Sequence, residues 1–133
     1  MGSSPNHEVQ IRSLVSRFLL IDDDPAVTNV LKLFLETAGH TVAVASNVTQ
    51  GKSAIQAGGH DAVVLDLKMP DGRGFDVLRF LREELKSTVK VIVLSGQKQE
   101  AAVLQALEMG ADDFVRKPFS PREVVARLTR LVR

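Results

Sequence analysis

Phe18-Leu19-Leu20-Ile21, Ala62-Val63-Val64-Leu65 and Val91-Ile92-Val93-Leu94 are unbroken apolar runs, each followed at once by a polar residue. Runs this short, bounded by polar residues and rich in Val, Leu and Ile, predict strands buried on both faces. They set β1 over Arg17–Ile21, β3 over Asp61–Leu65 and β4 over Lys90–Leu94, while Thr41–Ala45 reads as β2 and the short Asp113–Arg116 as β5. Between them lie longer segments of helical period. Val27, Val30, Leu31, Phe34 and Leu35 predict α1 over Pro25–Ala38, with Pro25 in the first turn and Gly39 as the C-terminal stop. Ser46 or Asn47 caps an α2 that ends at Ala57, before Gly58-Gly59. Phe75–Glu84 forms α3 with Val77, Leu78 and Leu81 inward, and Glu100–Met109 forms α4, stopped by Gly110. Pro121–Val132 forms α5, apolar at Val124, Val125, Leu128, Leu131 and Val132.

Strand and helix therefore alternate, which predicts an α/β fold: a doubly wound, five-stranded parallel sheet with helices on both faces. Right-handed crossovers leave the order 2-1-3-4-5 as the natural candidate. In such a sheet the site lies beyond the carboxyl ends of β1 and β3, where the winding direction reverses. Those ends carry Asp22-Asp23-Asp24 and Asp66; the end of β4 carries Ser95-Gly96, and that of β5 carries Lys117-Pro118.

A chain of 133 residues fits one domain, and its 44% hydrophobic and 25% charged residues are those of an ordinary globular protein. Residues 16–133 form the domain; residues 1–15 read as an N-terminal extension, a linker or a remnant of cloning. Within them Val9, Ile11, Leu14 and Val15 fit either a docking turn or part of that linker. A net charge of +1 gives no global field toward nucleic acid or membrane. The absence of cysteine excludes disulfides, thiolate catalysis and cysteine metal sites. With no apolar run of the ~20 residues a membrane span needs and no signal-peptide pattern, a cytoplasmic location is expected.

Taken singly, a strand-end Asp is most simply a helix cap, Lys117 a surface lysine and Ser95 a turn residue. Together they make chemistry. Three carboxylates brought close repel one another, and a divalent cation removes the conflict. A set of oxygen ligands suits Mg2+, which binds through one or two carboxylates, waters and substrate phosphate oxygens. Asp66 is then the nucleophile of an aspartyl phosphate. The transferred group carries its charge on equatorial oxygens, one for the cation, one for Lys117 and one for Ser95. Asp24 keeps the capping role before Pro25.

Leu20-Ile21-Asp22-Asp23-Asp24-Pro25, Leu65-Asp66 with Met69-Pro70, Leu94-Ser95-Gly96, Gly110-Ala111-Asp112-Asp113-Phe114 and Lys117-Pro118-Phe119 together resemble the response-regulator receiver domains of two-component signalling, across roughly residues 16–133. The resemblance implies a flavodoxin-like (βα)5 fold and phosphoryl transfer from a kinase histidine, or a phosphotransfer protein, to Asp66. It implies Mg2+ held by Asp22, Asp23, Asp66 and the backbone carbonyl of Lys68, with Ser95 and Lys117 on the phosphoryl group and a cis bond at Lys117-Pro118. Ser95 and Phe114 become the switch pair: the hydroxyl moves inward and the aromatic follows, in space left by Gly96. A complete switch needs ~5.5 kcal/mol of differential stabilisation, within reach of a few charge-assisted contacts. Lys68 and Gln97 flank the approach of an attacking water, and Lys68 reads either as a shield over the acyl phosphate or as a solvated lysine.

The expected output surface is the α4-β5-α5 face, toward an output domain, a protein target or a second copy of the chain. Asp113 and Arg127 fit one charged contact of such a dimer and Glu123 half of another. Val103 and Thr129 stand where basic residues are usual; Leu104, Leu107 and Val125 keep the apolar patch. Two other classes compete. A phosphohydrolase of the haloacid-dehalogenase type wants its nucleophile at the end of the first strand in a DxDx context, which is missing. A phosphorylation-independent scaffold would not need the full acidic, hydroxyl and lysine set. Arg116, Lys117, Arg122, Arg127, Arg130 and Arg133 make the C-terminal part basic, yet no groove-reading motif or aromatic interleaving points to direct nucleic-acid binding. His7, His40 and His60 show no ligand spacing.

Overall fold

Alternate residues of each central strand face opposite helix layers, which is why these strands carry no polar interior position. The computed structural model describes residues 15–69, 72–96 and 100–133. β1 (Arg17–Ile21), β2 (Thr41–Ala45), β3 (Ala62–Asp66), β4 (Lys90–Ser95) and β5 (Asp113–Arg116) form one parallel sheet in the order β2-β1-β3-β4-β5. Leu19, Ile21, Val63, Leu65, Val91 and Val93 pack against Val48, Ile55, Val77, Leu78, Leu81 and Ala106 of α2 (Val48–Ala57), α3 (Gly74–Glu84) and α4 (Glu100–Glu108). On the other face, Phe18, Leu20, Val64, Ile92, Leu94 and Val115 pack against Leu31, Leu35, Val124 and Leu128 of α1 (Pro25–Thr37) and α5 (Pro121–Leu131). Leu20, Val64, Ile92 and Leu94 are each at most 1% exposed; complete burial of such a side chain contributes about 2 kcal/mol.

Local chemistry sets the helix ends. Asp24 caps α1, its side chain accepting the Ala26 N–H at 2.9 Å. Gly39, at φ 96°, ends it: its N–H bonds to Glu36 O and that of His40 to Leu35 O, a Schellman closure. Asn47, of the two candidates, caps α2 by accepting the Gln50 N–H at 2.8 Å.

Three details depart from the sequence reading. β3 runs one residue further on, so Asp66 ends the strand itself, while Asp61 turns its carboxylate to the Arg17 N–H at 2.7 Å. β4 likewise includes Ser95. The last five residues of α3, Phe80–Glu84, form a π-helical turn closed by Leu85 N–H to Phe80 O at 2.9 Å. That turn brings Arg82 to the carbonyls of Gly110 (2.8 and 3.0 Å) and Ser87 (2.9 Å) and to the Asp112 carboxylate (3.2 Å). Between β3 and α3, Lys68–Met69 and Gly72–Arg73 pair as a two-residue antiparallel ladder. No helix among the described residues is long and apolar enough to cross a membrane.

Candidate functional site

Sheet register assembles the site. Ile21 is paired with Leu65 and Asp66 with Leu94, so one further residue along β1 and β4 brings Asp22 and Ser95 to either side of Asp66. Ser95 in turn is registered with Arg116, and the Lys117 N–H bonds to Ser95 O at 2.7 Å. Four strand ends thus converge on Asp66.

Asp22 and Asp66 are 3% and 5% exposed, whereas Asp23 is exposed. Each of the three offers a carboxylate oxygen, and these oxygens lie within 4.8 Å of one another. Two oxygens bound to one Mg2+ at ~2.1 Å are at most about 4.2 Å apart, so modest side-chain rotation closes this set on an ion. The donors are all hard oxygens, and they fit a divalent cation. Backbone amides orient the two buried carboxylates: Asp24 N–H to Asp22 Oδ1 at 3.0 Å and Lys68 N–H to Asp66 Oδ1 at 3.1 Å. Lys117 Nζ bridges their other oxygens, 3.4 Å from Asp22 Oδ2 and 3.3 Å from Asp66 Oδ2. Ser95 is fully buried, and its Oγ has no hydrogen-bond partner among the described residues. An orphaned hydroxyl beside a carboxylate is suited to receiving a ligand oxygen. The Lys117-Pro118 bond is cis.

Burial pushes the Asp22 carboxyl up from the ordinary 3.8 to about 6; the charge of Asp66 adds to the rise, while the Asp24 N–H and Lys117 oppose it. Lys117 is held above its usual 10.5: burial acts against its charge, but Asp66 and Asp22 outweigh it. Between pH 3.8 and about 6 folded Asp22 keeps a proton that the unfolded chain has lost. Stability of the cation-free protein is therefore expected to fall as pH rises through that window, with no further contribution from this group above it. Urea unfolding in a chelator should show Asp22→Asn gaining on the parent chain between pH 4 and 7; a constant difference would contradict the assignment.

Gly74 was not singled out by sequence, although it lies against the Asp66 backbone. Close backbone approach leaves no signal in a single sequence beyond the glycine itself. Phe114 is half-buried against the α4 side of the core, with the Arg116 guanidinium 5.7 Å from its ring centre. Lys68 is exposed; Gln97 and Pro70 lie outside the described residues, as do residues 1–14. Asp113 and Arg127, expected across a dimer, pair within the chain at 2.8 Å, and Glu123 joins Arg127 at 3.6 Å. Val103 is 4% exposed and belongs to the core side of α4. With Arg116 also paired to Glu100 at 3.5 Å, several of the C-terminal cations answer internal carboxylates. His40 accepts the Ser16 N–H at 3.0 Å and His60 lies 3.3 Å from Ala54 O, both as structural contacts.

Comparison with known proteins gives the same picture. The family described as "Response regulator receiver domain" matches residues 18–129. The DNA-binding response regulator MtrA of Mycolicibacterium smegmatis is 38% identical over 117 residues, 88% of this chain and 50% of that protein. The phosphate regulon transcriptional regulatory protein PhoB of Pseudomonas aeruginosa is 37% identical over 116 residues, 86% of this chain and 51% of its own length. The chain thus spans about half the length of the curated relatives it matches. Among solved structures, the receiver domain of the TMAO respiratory system response regulator TorR superposes with a TM-score of 0.81 at 32% identity, covering 88% of this chain and 96% of that one. A CheY-like receiver from Methanospirillum hungatei JF-1 gives 0.83 at 27% identity, with 89% and 94% covered. With the acidic strand ends, the buried serine and the lysine assembled on a sheet of this order, the chain belongs to the response-regulator receiver domains of two-component signalling.

Proposed function

We propose that Asp66 accepts a phosphoryl group from the histidine of a kinase or phosphotransfer protein, and that Mg2+ is the cation of the site. The observation that carries this is Lys117 bridging Asp22 and Asp66, beside a buried Ser95 hydroxyl without a partner. Asp22, Asp23, Asp66 and the Lys68 carbonyl would hold the ion, which neutralises the carboxylates and the incoming phosphoryl oxygens. An Asp66 oxygen attacks phosphorus, the bond from phosphorus to the donor nitrogen breaks, and its electron pair stays on the imidazole. Lys117 then trades a carboxylate contact for a phosphoryl oxygen, and the Ser95 hydroxyl donates to another. Hydrolysis reverses the state: water attacks phosphorus, the bond to Asp66 breaks, and inorganic phosphate leaves. The protein acts on no substrate but its own aspartate, and works in the cytoplasm.

Output is assigned to the α4-β5-α5 face through Ser95 and Phe114. Leu104 on that face is 62% exposed. A symmetric dimer there would exchange the internal Asp113–Arg127 pair for the same pair between chains, while an output domain or protein target has no such requirement. Incubation with a small acyl phosphate tests the reading: intact mass should rise by one phosphate with Mg2+ present and remain unchanged in a chelator. An unchanged mass in folded, Mg2+-saturated protein, even with kinase, would refute it.

Lys68 enters as a regulator of lifetime. Its N–H holds Asp66 while its side chain stands in solvent beside the water's approach. Lys68→Ala keeps the amide and is expected to speed loss of phosphate several-fold; an unchanged decay by mass spectrometry removes this role.

A further inference from the structure

We propose that Gly74 is a positioning residue for Asp66, acting by the absence of a side chain. Its backbone does not sit in the left-handed region, so conformational freedom is not what requires glycine here. Space is. A β-carbon at residue 74 would overlap the Asp66 carbonyl oxygen and stand 2.8 Å from Leu67 Cα and 3.1 Å from the Asp66 carbonyl carbon. All three are backbone atoms, which cannot swing aside as the end of a side chain can.

The contact closes a short circuit around the phosphoacceptor. Gly74 opens α3, and its N–H bonds back to Leu67 O at 3.0 Å. Leu67 N–H is held in turn by Leu94 O at 3.2 Å, the residue before Ser95. The next amide, Lys68 N–H, fixes Asp66 Oδ1 at 3.1 Å, and the same residue begins the small ladder with Gly72–Arg73. The start of α3 is thereby pressed against the peptide that carries Asp66. A methyl group at residue 74 must separate the two, moving the Leu67-Lys68 segment and with it the amide that aims the carboxylate. The consequence falls mainly on cation binding and phosphoryl acceptance; of the sheet, only the last β3–β4 bond, Leu67 N–H to Leu94 O, is touched.

This inference rests on the phosphoacceptor reading above, and the test separates the two. Gly74→Ala is compared with Gly39→Ala, which strains a φ of 96° at the base of the fold and meets nothing within 4 Å. Both are expected to lower the melting temperature. Only Gly74→Ala should weaken Mg2+ affinity by about tenfold or more, as loss of a ligand-orienting contact does, and slow adduct formation from a small acyl phosphate in saturating Mg2+. If either variant is incompletely folded, all three proteins are measured in a stabilising osmolyte at the concentration that restores full secondary structure. Gly74→Ala within twofold of the parent chain, or no more impaired than Gly39→Ala, overturns the inference alone. A parent chain that forms no adduct, even with kinase, overturns the phosphoacceptor reading itself.

Discussion

Asp66→Asn is expected to accept no phosphoryl group, and to unfold at higher urea than the parent chain when no divalent cation is present. The first half follows from chemistry, since a neutral amide oxygen is a poor nucleophile for phosphorus. The second follows from counting charges. With all groups ionised, Asp22, Asp23 and Asp66 against Lys117 leave two uncompensated negative charges within one small cluster. The substitution removes one of them, together with the cost of burying a carboxylate that is 5% exposed. Asparagine can still accept the Lys68 N–H. Lys117 loses one partner at 3.3 Å but keeps Asp22 at 3.4 Å. Two repulsions and a desolvation cost outweigh one attraction, so a gain on the order of 1 kcal/mol is expected. Saturating Mg2+ should narrow the gap, because the parent chain gains more from the ion. A variant less stable than the parent would mean that the Lys117 contact dominates the cluster.

Lys117→Met should be the most damaging change that leaves Asp66 in place. Methionine keeps much of the side chain's volume while removing the only ammonium bonded to both Asp22 and Asp66 among the described residues. Removing one partner of a buried ion pair costs ~3–5 kcal/mol; this lysine side chain is 29% exposed, so a loss of about 2 kcal/mol is expected in chelator. Lys117 also lowers the Asp22 pKa, so without it Asp22 should rise beyond its present value of about 6. Cation binding would then need a higher pH. Stability should recover with Mg2+, yet phosphoryl transfer should not. Withdrawing one charge-stabilising donor from a transfer site costs roughly 10²–10³ in rate. Adduct formation followed by intact mass at saturating Mg2+ measures that rate. A stability loss that Mg2+ cannot relieve would place the role of Lys117 outside the charge balance of this cluster.

Most of the architecture could be read from sequence because the same residues carry both pattern and packing. The buried runs 18–21, 62–65 and 91–94 are apolar at every position, as a parallel sheet covered by helices on both faces requires. Asp24, Pro25, Gly39 and Asn47 declare helix ends through their own backbone chemistry. The acidic strand ends were legible for the same reason: parallel register aligns what chain order separates. Other features have no local code. The π-helical turn at Phe80–Glu84 brings Arg82 to Gly110 and Asp112, partners about thirty residues away that no local pattern announces. The pairing of Asp113 with Arg127 inside the chain rather than across a dimer depends on how α5 lies over β5, which periodicity does not specify. Gly74 resembles any loop glycine until the Asp66 carbonyl is seen beside it.

If one carboxylate, Asp66, carries the phosphoryl group, chemical location of the adduct will find it there. The phosphorylated protein is reduced with borohydride, which converts an acyl-phosphorylated aspartate to homoserine, then digested and mapped by peptide mass. Homoserine is expected at residue 66 alone, dependent on Mg2+ during phosphorylation. Homoserine at Asp22 or Asp23, or a phosphate that survives reduction on another side chain, would contradict it.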